Sequence, residues 1–126
     1  MADSRYQFIN LTYLDDMCDG DTDMKITLIE MLLEELETDI KQLKTFAQNG
    51  SWKETAALSH RLKTTISYTG NAILSTLILN IENSSKQGIN LSNIPELILL
   101  MEDTIKGVLP ELKNELQIIQ NNSFLT

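Results

Sequence analysis

The single histidine of this sequence, His60, is its clearest candidate for chemistry. Lys63, Thr64 and Ser67 follow it by three, four and seven residues, so on a helix they share its face. At roughly 100° per residue the imidazole points away from the apolar side of that helix. The residues on the apolar side are Thr55, Leu58, Leu62, Ile66 and Thr69. An accessible imidazole is a competent nucleophile near neutral pH, and a neighbouring lysine favours an anionic target.

Composition limits the classes of partner. The 126 residues suffice for one domain, and we take residues 1–126 as a single unit. The formal net charge is −8 and the isoelectric point is about 4.5. A chain this acidic is repelled by phosphate backbones and anionic lipids, which argues against nucleic acids and membranes as partners.

The cysteine and the terminus indicate a cytoplasmic protein. Cys18 is the only cysteine, so no intramolecular disulfide forms, and one cysteine with one histidine does not make a zinc site. Residues 1–6 lack the basic-then-apolar order of a signal peptide. No apolar run reaches the ~20 residues that a membrane helix needs.

Apolar spacing predicts five helices, four of them long. The first covers about residues 11–17, and the second runs from Asp21 or Thr22 to about residue 48. The third and fourth cover about 52–68, with Ser51 as the cap, and 72–86; Ser92 or Asn93 can cap the last helix. Pro110 lies inside the last pattern and predicts a kink or break near Gly107. Short turns between long amphipathic helices favour an all-α, antiparallel up-down four-helix bundle with a short extra N-terminal helix.

The fourth predicted helix has an apolar and a polar face. Glu82 and Lys86 are assigned to the polar face. The residues predicted to point inward are Ile73, Leu74, Leu77, Ile78 and Ile81.

The residues around His60 resemble the histidine-containing phosphotransfer (HPt) domain of bacterial two-component phosphorelays. The resemblance rests on His60-Arg61-Leu62-Lys63, preceded by Gly50-Ser51-Trp52 and followed by Gly70, Leu77 and Ile81-Glu82. Residues 14–21 also look like the start of such domains, so the resemblance spans about residues 11–87.

The resemblance implies that His60 accepts a phosphoryl group from an aspartyl phosphate on a receiver domain and passes it to the aspartate of another. Lys63 would offer its ammonium to the phosphoryl oxygens. The receiver, whether a separate protein or a domain of a hybrid histidine kinase, would supply Mg²⁺, so this chain would need no cofactor or metal of its own. We expect a monomer without autokinase or ATPase activity.

The surroundings of His60 bear on whether a receiver can reach it. Ala56, Ala57 and Ser67 keep the neighbourhood low in bulk, whereas Thr64 stands where family members usually carry glycine. Three further residues have structural roles in this interpretation. Trp52 anchors the start of the helix, Leu62 lies in the core, and Gly70 ends the helix.

Two other functions remain open. The phosphoacceptor hairpin of a sensor histidine kinase has a similar sequence motif around its histidine. That motif usually carries an acidic residue directly after the histidine and a proline five residues after it. Here those positions hold Arg61 and Thr65, and the sequence lacks a glycine-rich phosphate loop. An HPt-like scaffold without transfer activity is favoured only by Thr64. The start at Met1 favours a stand-alone protein, although a terminal domain of a hybrid kinase would have a similar sequence.

Overall fold

The structure, a computed structural model, describes the backbone of residues 5–125 and the side chains of residues 5–122. The signal-peptide argument depends in part on residues 1–4, which lie outside the described residues. The helices are α1 (Thr12–Cys18), α2 (Thr22–Gln48), α3 (Trp52–Ser67), α4 (Ala72–Gln87) and α5 (Ile94–Leu125), with a 3₁₀ turn at Leu91–Asn93 before α5.

The four long helices form an antiparallel bundle. In cross-section α3 packs between α2 and α4, and α5 closes the ring by packing against α2 and α4. The interior is filled mainly by leucine and isoleucine from all four helices, and α1 adds Leu14 and Cys18 at one end. The predicted all-α bundle with a short extra N-terminal helix is therefore confirmed.

Side-chain caps set the starts of two helices. Asp21 and Asn71 each accept a hydrogen bond from the backbone amide three residues on, which fixes the first turns of α2 and α4. The predicted position of Ser51 at the N-cap of α3 is confirmed, but its side chain makes no capping hydrogen bond. Its ψ of 70° lies outside the extended region usual for an N-cap. Its carbonyl accepts the first hydrogen bond of the helix from the Thr55 amide, and the Thr55 hydroxyl donates to the same oxygen.

The sequence predicts a kink or a break near Gly107, and the break does not occur: α5 continues through Pro110. The kink stays a prediction. Proline removes one backbone hydrogen bond, but Val108 and Leu112 on either side are both fully buried. Their burial in the bundle core holds the helix together across the missing bond.

The segment before α1 is held against α5. The carboxylate of Glu111 accepts hydrogen bonds from the three consecutive backbone amides of residues 7–9, at 2.8–3.2 Å. The Phe8 ring lies over Gly107, where an added Cβ would come within 2.6 Å of the ring. The Asn10 amide donates to the carbonyl of Thr69 at 2.9 Å, which ties the segment to the turn between α3 and α4.

Replacing Gly70 with alanine should lower the free energy of unfolding by about 2–4 kcal/mol. Gly70 has φ +66°, and an added Cβ would overlap the backbone carbonyl of Asn10. Gly50→Ala is the matched control, since Gly50 has φ +69° but open space around the added Cβ, and it should cost only about 1 kcal/mol. Urea unfolding followed by circular dichroism measures both; equal losses would mean that the Asn10 contact contributes nothing.

Candidate functional site

His60 lies on the outward face of α3. Its side chain is 67% exposed, while Leu58, Leu62 and Ile66 on the opposite face are buried in the core. The amphipathic pattern of α3 therefore fixes the direction of the imidazole, as the sequence predicted. The ring is therefore accessible from solvent.

A buried carboxylate from α4 lies directly against the ring. The Oε2 atom of Glu82 is 2.7 Å from His60 Nδ1, and the Glu82 side chain is only 3% exposed. The prediction that Glu82 lies on the polar face of α4 is thus wrong. Glu82 borders the apolar stripe next to Ile81, and the antiparallel packing of α3 on α4 covers it.

Ile73 is misassigned in the opposite direction, being 61% exposed. It was predicted to point inward, but at roughly 100° per residue it lies well off the arc shared by Leu74, Ile78 and Ile81. Those three residues are fully or almost fully buried.

Two lysines neutralise the buried carboxylate. Lys63 Nζ lies 2.8 Å from Glu82 Oε1, and Lys86 Nζ lies 3.6 Å from Oε2. Burial raises the pKa of Glu82, but the hydrogen bonds from Lys63 and His60 and the charges of both lysines outweigh it, so the net pKa is lowered. Glu82 is consequently an anion at neutral pH, and its negative charge is paired as a buried charge must be.

The carboxylate also selects the tautomer of the neutral imidazole. An ionised carboxylate only accepts hydrogen bonds, so the 2.7 Å contact requires that His60 Nδ1 carry the proton. The lone pair of the ring is then on Nε2. The arrangement presents a nucleophilic nitrogen with a fixed ring orientation on an exposed surface.

The other predicted site residues divide into two groups along α3. Ala56, which is buried, and Ala57, which is exposed, line a shallow depression together with His60. Thr64 and Ser67 lie further toward the C-terminal end, and the Ser67 hydroxyl donates to the backbone carbonyl of Thr64. The Thr64 side chain is exposed, so it meets whatever docks on that part of α3.

The three residues assigned structural roles are placed as follows. Trp52 is half-buried and packs against the core at the start of α3, and Leu62 is fully buried. Gly70 adopts the left-handed conformation in the turn that follows α3.

Glu82 is the site residue that sequence reasoning missed. The sequence contains a usable signal: Glu82 follows Ile81 by one residue and Ile78 by four, which places its carboxylate at the edge of a buried stripe. A glutamate there needs cationic or hydrogen-bonding partners on the neighbouring helix. His60 and Lys63, one helical turn apart on α3, are such partners.

Comparison with known proteins supports the fold. No family model and no curated protein sequence matches this chain. Among solved structures, histidine-containing phosphotransfer protein B (HptB) from Pseudomonas aeruginosa PAO1 is similar, with a TM-score of 0.79 and 23% sequence identity. The similarity covers 87% of this chain and 95% of HptB. Within residues 5–125, no helix is long and apolar enough to cross a membrane. The chain has the fold of a histidine-containing phosphotransfer protein.

Proposed function

We propose that this chain is a phosphorelay intermediate, which accepts a phosphoryl group on His60 from a receiver-domain aspartate and passes it to a second receiver. The observation that carries the proposal is the exposed imidazole whose Nδ1 is held by the buried Glu82 carboxylate. The bundle fold shared with HptB is consistent with it.

The proposed transfer is a single in-line displacement. A bond forms between His60 Nε2 and phosphorus as the bond between phosphorus and the aspartyl oxygen breaks, and the aspartate leaves as a carboxylate. The imidazole gains positive charge during the step, because Nδ1 keeps its proton. The Glu82 carboxylate next to Nδ1 stabilises that charge without having to move.

Lys63 has a second role in this proposal. It lies one helical turn from His60 and is 37% exposed, so its ammonium can turn from Glu82 toward the incoming phosphoryl oxygens. Glu82 would keep His60 and Lys86 as partners meanwhile. Phosphoryl transfer needs mainly positioning and charge neutralisation, which these residues would supply from this side. The proposal assigns Mg²⁺ to the receiver.

The test uses receiver domains encoded in the same genome as this chain, each phosphorylated with acetyl phosphate and then mixed with the chain. We expect at least one receiver to transfer a single acid-labile phosphoryl group, detected by intact-mass spectrometry and assigned to Nε2 by NMR. Transfer from no receiver would favour a scaffold without transfer activity. In a separate incubation of the chain with ATP and no receiver, labelling of His60 would favour the phosphoacceptor hairpin of a kinase.

Lys63→Ala should slow transfer from the receiver roughly tenfold while the fold is retained, because the phosphoryl oxygens lose one cation. Single-turnover rates measure the effect, and thermal unfolding checks the fold. Lys113→Ala, which removes an exposed lysine of α5, is the control and should transfer at the wild-type rate. A Lys63→Ala rate equal to that of the control would exclude Lys63 from the site.

A further inference from the structure

A shallow depression beside His60 carries a positive charge on an otherwise acidic protein. His60 is on its wall, with Lys53 from the first turn of α3 and Lys86 from the last turn of α4. Among the described residues that line it, none is acidic. The whole chain, by contrast, has 18 acidic and 10 basic residues.

The rest of the lining consists of small side chains. Ala56 and Ala57 from α3 and Ser85 from α4 lie between the two lysines. Small residues allow a partner to come close to the helix backbones, so carboxylates of a docked partner can reach both ammonium groups. The depression therefore allows close approach of a partner, and its two lysines attract an anionic surface.

Neighbouring carboxylates cancel only part of this charge. Glu82 lies beneath the surface and is already paired with Lys63 and His60 as well as Lys86. Glu54 follows Lys53 in sequence but lines a different depression, together with Arg61. Lys53 and the 58% exposed Lys86 thus face solvent on the side from which His60 is approached.

We infer that this depression receives an acidic segment of the receiver, and that Lys53 and Lys86 steer and orient the receiver as it docks. The inference rests on the proposed function, since a protein that delivers a phosphoryl group to Nε2 must cover the surface beside His60. A net charge of −8 repels an acidic partner from most directions, so a local positive patch favours the one productive orientation.

The experiment measures docking without chemistry. All variants carry His60→Gln, so they cannot accept phosphate. The receiver that best phosphorylates the wild-type protein is labelled with a dye, and stopped flow measures its association rate with each variant. The test variant is Lys53→Glu/Lys86→Gln, with glutamine at 86 because a carboxylate there would face Glu82. The control, Lys41→Glu/Lys106→Gln, makes the same charge change at the depression between α2 and α5.

At about 50 mM salt the test variant should associate at least tenfold more slowly than the control, and the difference should shrink at about 300 mM salt. If the two variants associate at equal rates while the wild-type protein still accepts phosphate from the receiver, the docking inference is overturned and the proposed function is not. Absence of transfer to the wild type from every receiver would instead remove the proposed function, and this docking role with it.

Discussion

Replacing His60 with glutamine should abolish phosphoryl transfer, with a loss of at least roughly a thousandfold. A carboxamide nitrogen has no available lone pair, and the sequence contains no second histidine to take over. The fold should survive, because His60 is 67% exposed and the glutamine amide can donate to Glu82 in place of Nδ1. The stability change should stay within about 0.5 kcal/mol, as is usual for surface substitutions.

Single-turnover transfer from the phosphorylated receiver, with the product treated with acid, measures this effect. Acid-labile phosphate on the His60→Gln protein would contradict the assignment of His60 as the acceptor. Thermal unfolding and receiver binding of the same variant serve as controls, since both should match the wild type.

Removal of the Glu82 carboxylate should have the second largest effect. Glu82→Ala should slow transfer roughly 10–100-fold, because the imidazole loses the acceptor that fixes its orientation and holds the proton on Nδ1. Without that acceptor, the Nδ1 and Nε2 tautomers both become populated. Nitrogen-15 NMR of the imidazole should therefore report Nδ1–H in the wild type and a mixture in the variant.

Two variants distinguish this role from a loss of stability. Glu82→Gln keeps an oxygen that can accept from Nδ1 and should recover part of the rate, while lacking the negative charge. Glu115→Gln alters the other buried glutamate of the bundle, which pairs with Lys25 at 3.0 Å. Suppose that Glu115→Gln and Glu82→Ala lower the free energy of unfolding equally. If Glu115→Gln then slowed transfer as much as Glu82→Ala, the positioning role of Glu82 would be refuted.

The helices were predictable because their signals are local. The apolar repeat gives α2 its full length to Gln48, and the same rule applied to α3 points His60 outward. The continuous helix through Pro110 was not predictable from local rules. It depends on the burial of Val108 and Leu112 by other helices, which outweighs one missing hydrogen bond.

The candidate site was predicted only in part for a similar reason. His60 and Lys63 were identified on one helix, because their spacing alone places them on one face. Their contact with Glu82 depends on the register between α3 and α4, which is set by the turn around Gly70 and by packing across the interface. A pattern read along one helix contains no information about that register.

The hydrogen bonds between Glu111 and the amides of residues 7–9 have a consequence for synthesis on the ribosome. The acceptor lies more than 100 residues after the amides that it binds. Chains are made from the N-terminus at about 5–20 residues per second, so these amides emerge seconds before their acceptor. These amides therefore stay without their carboxylate acceptor until α5 has been made, and nascent chains that stop before α5 cannot form these three hydrogen bonds.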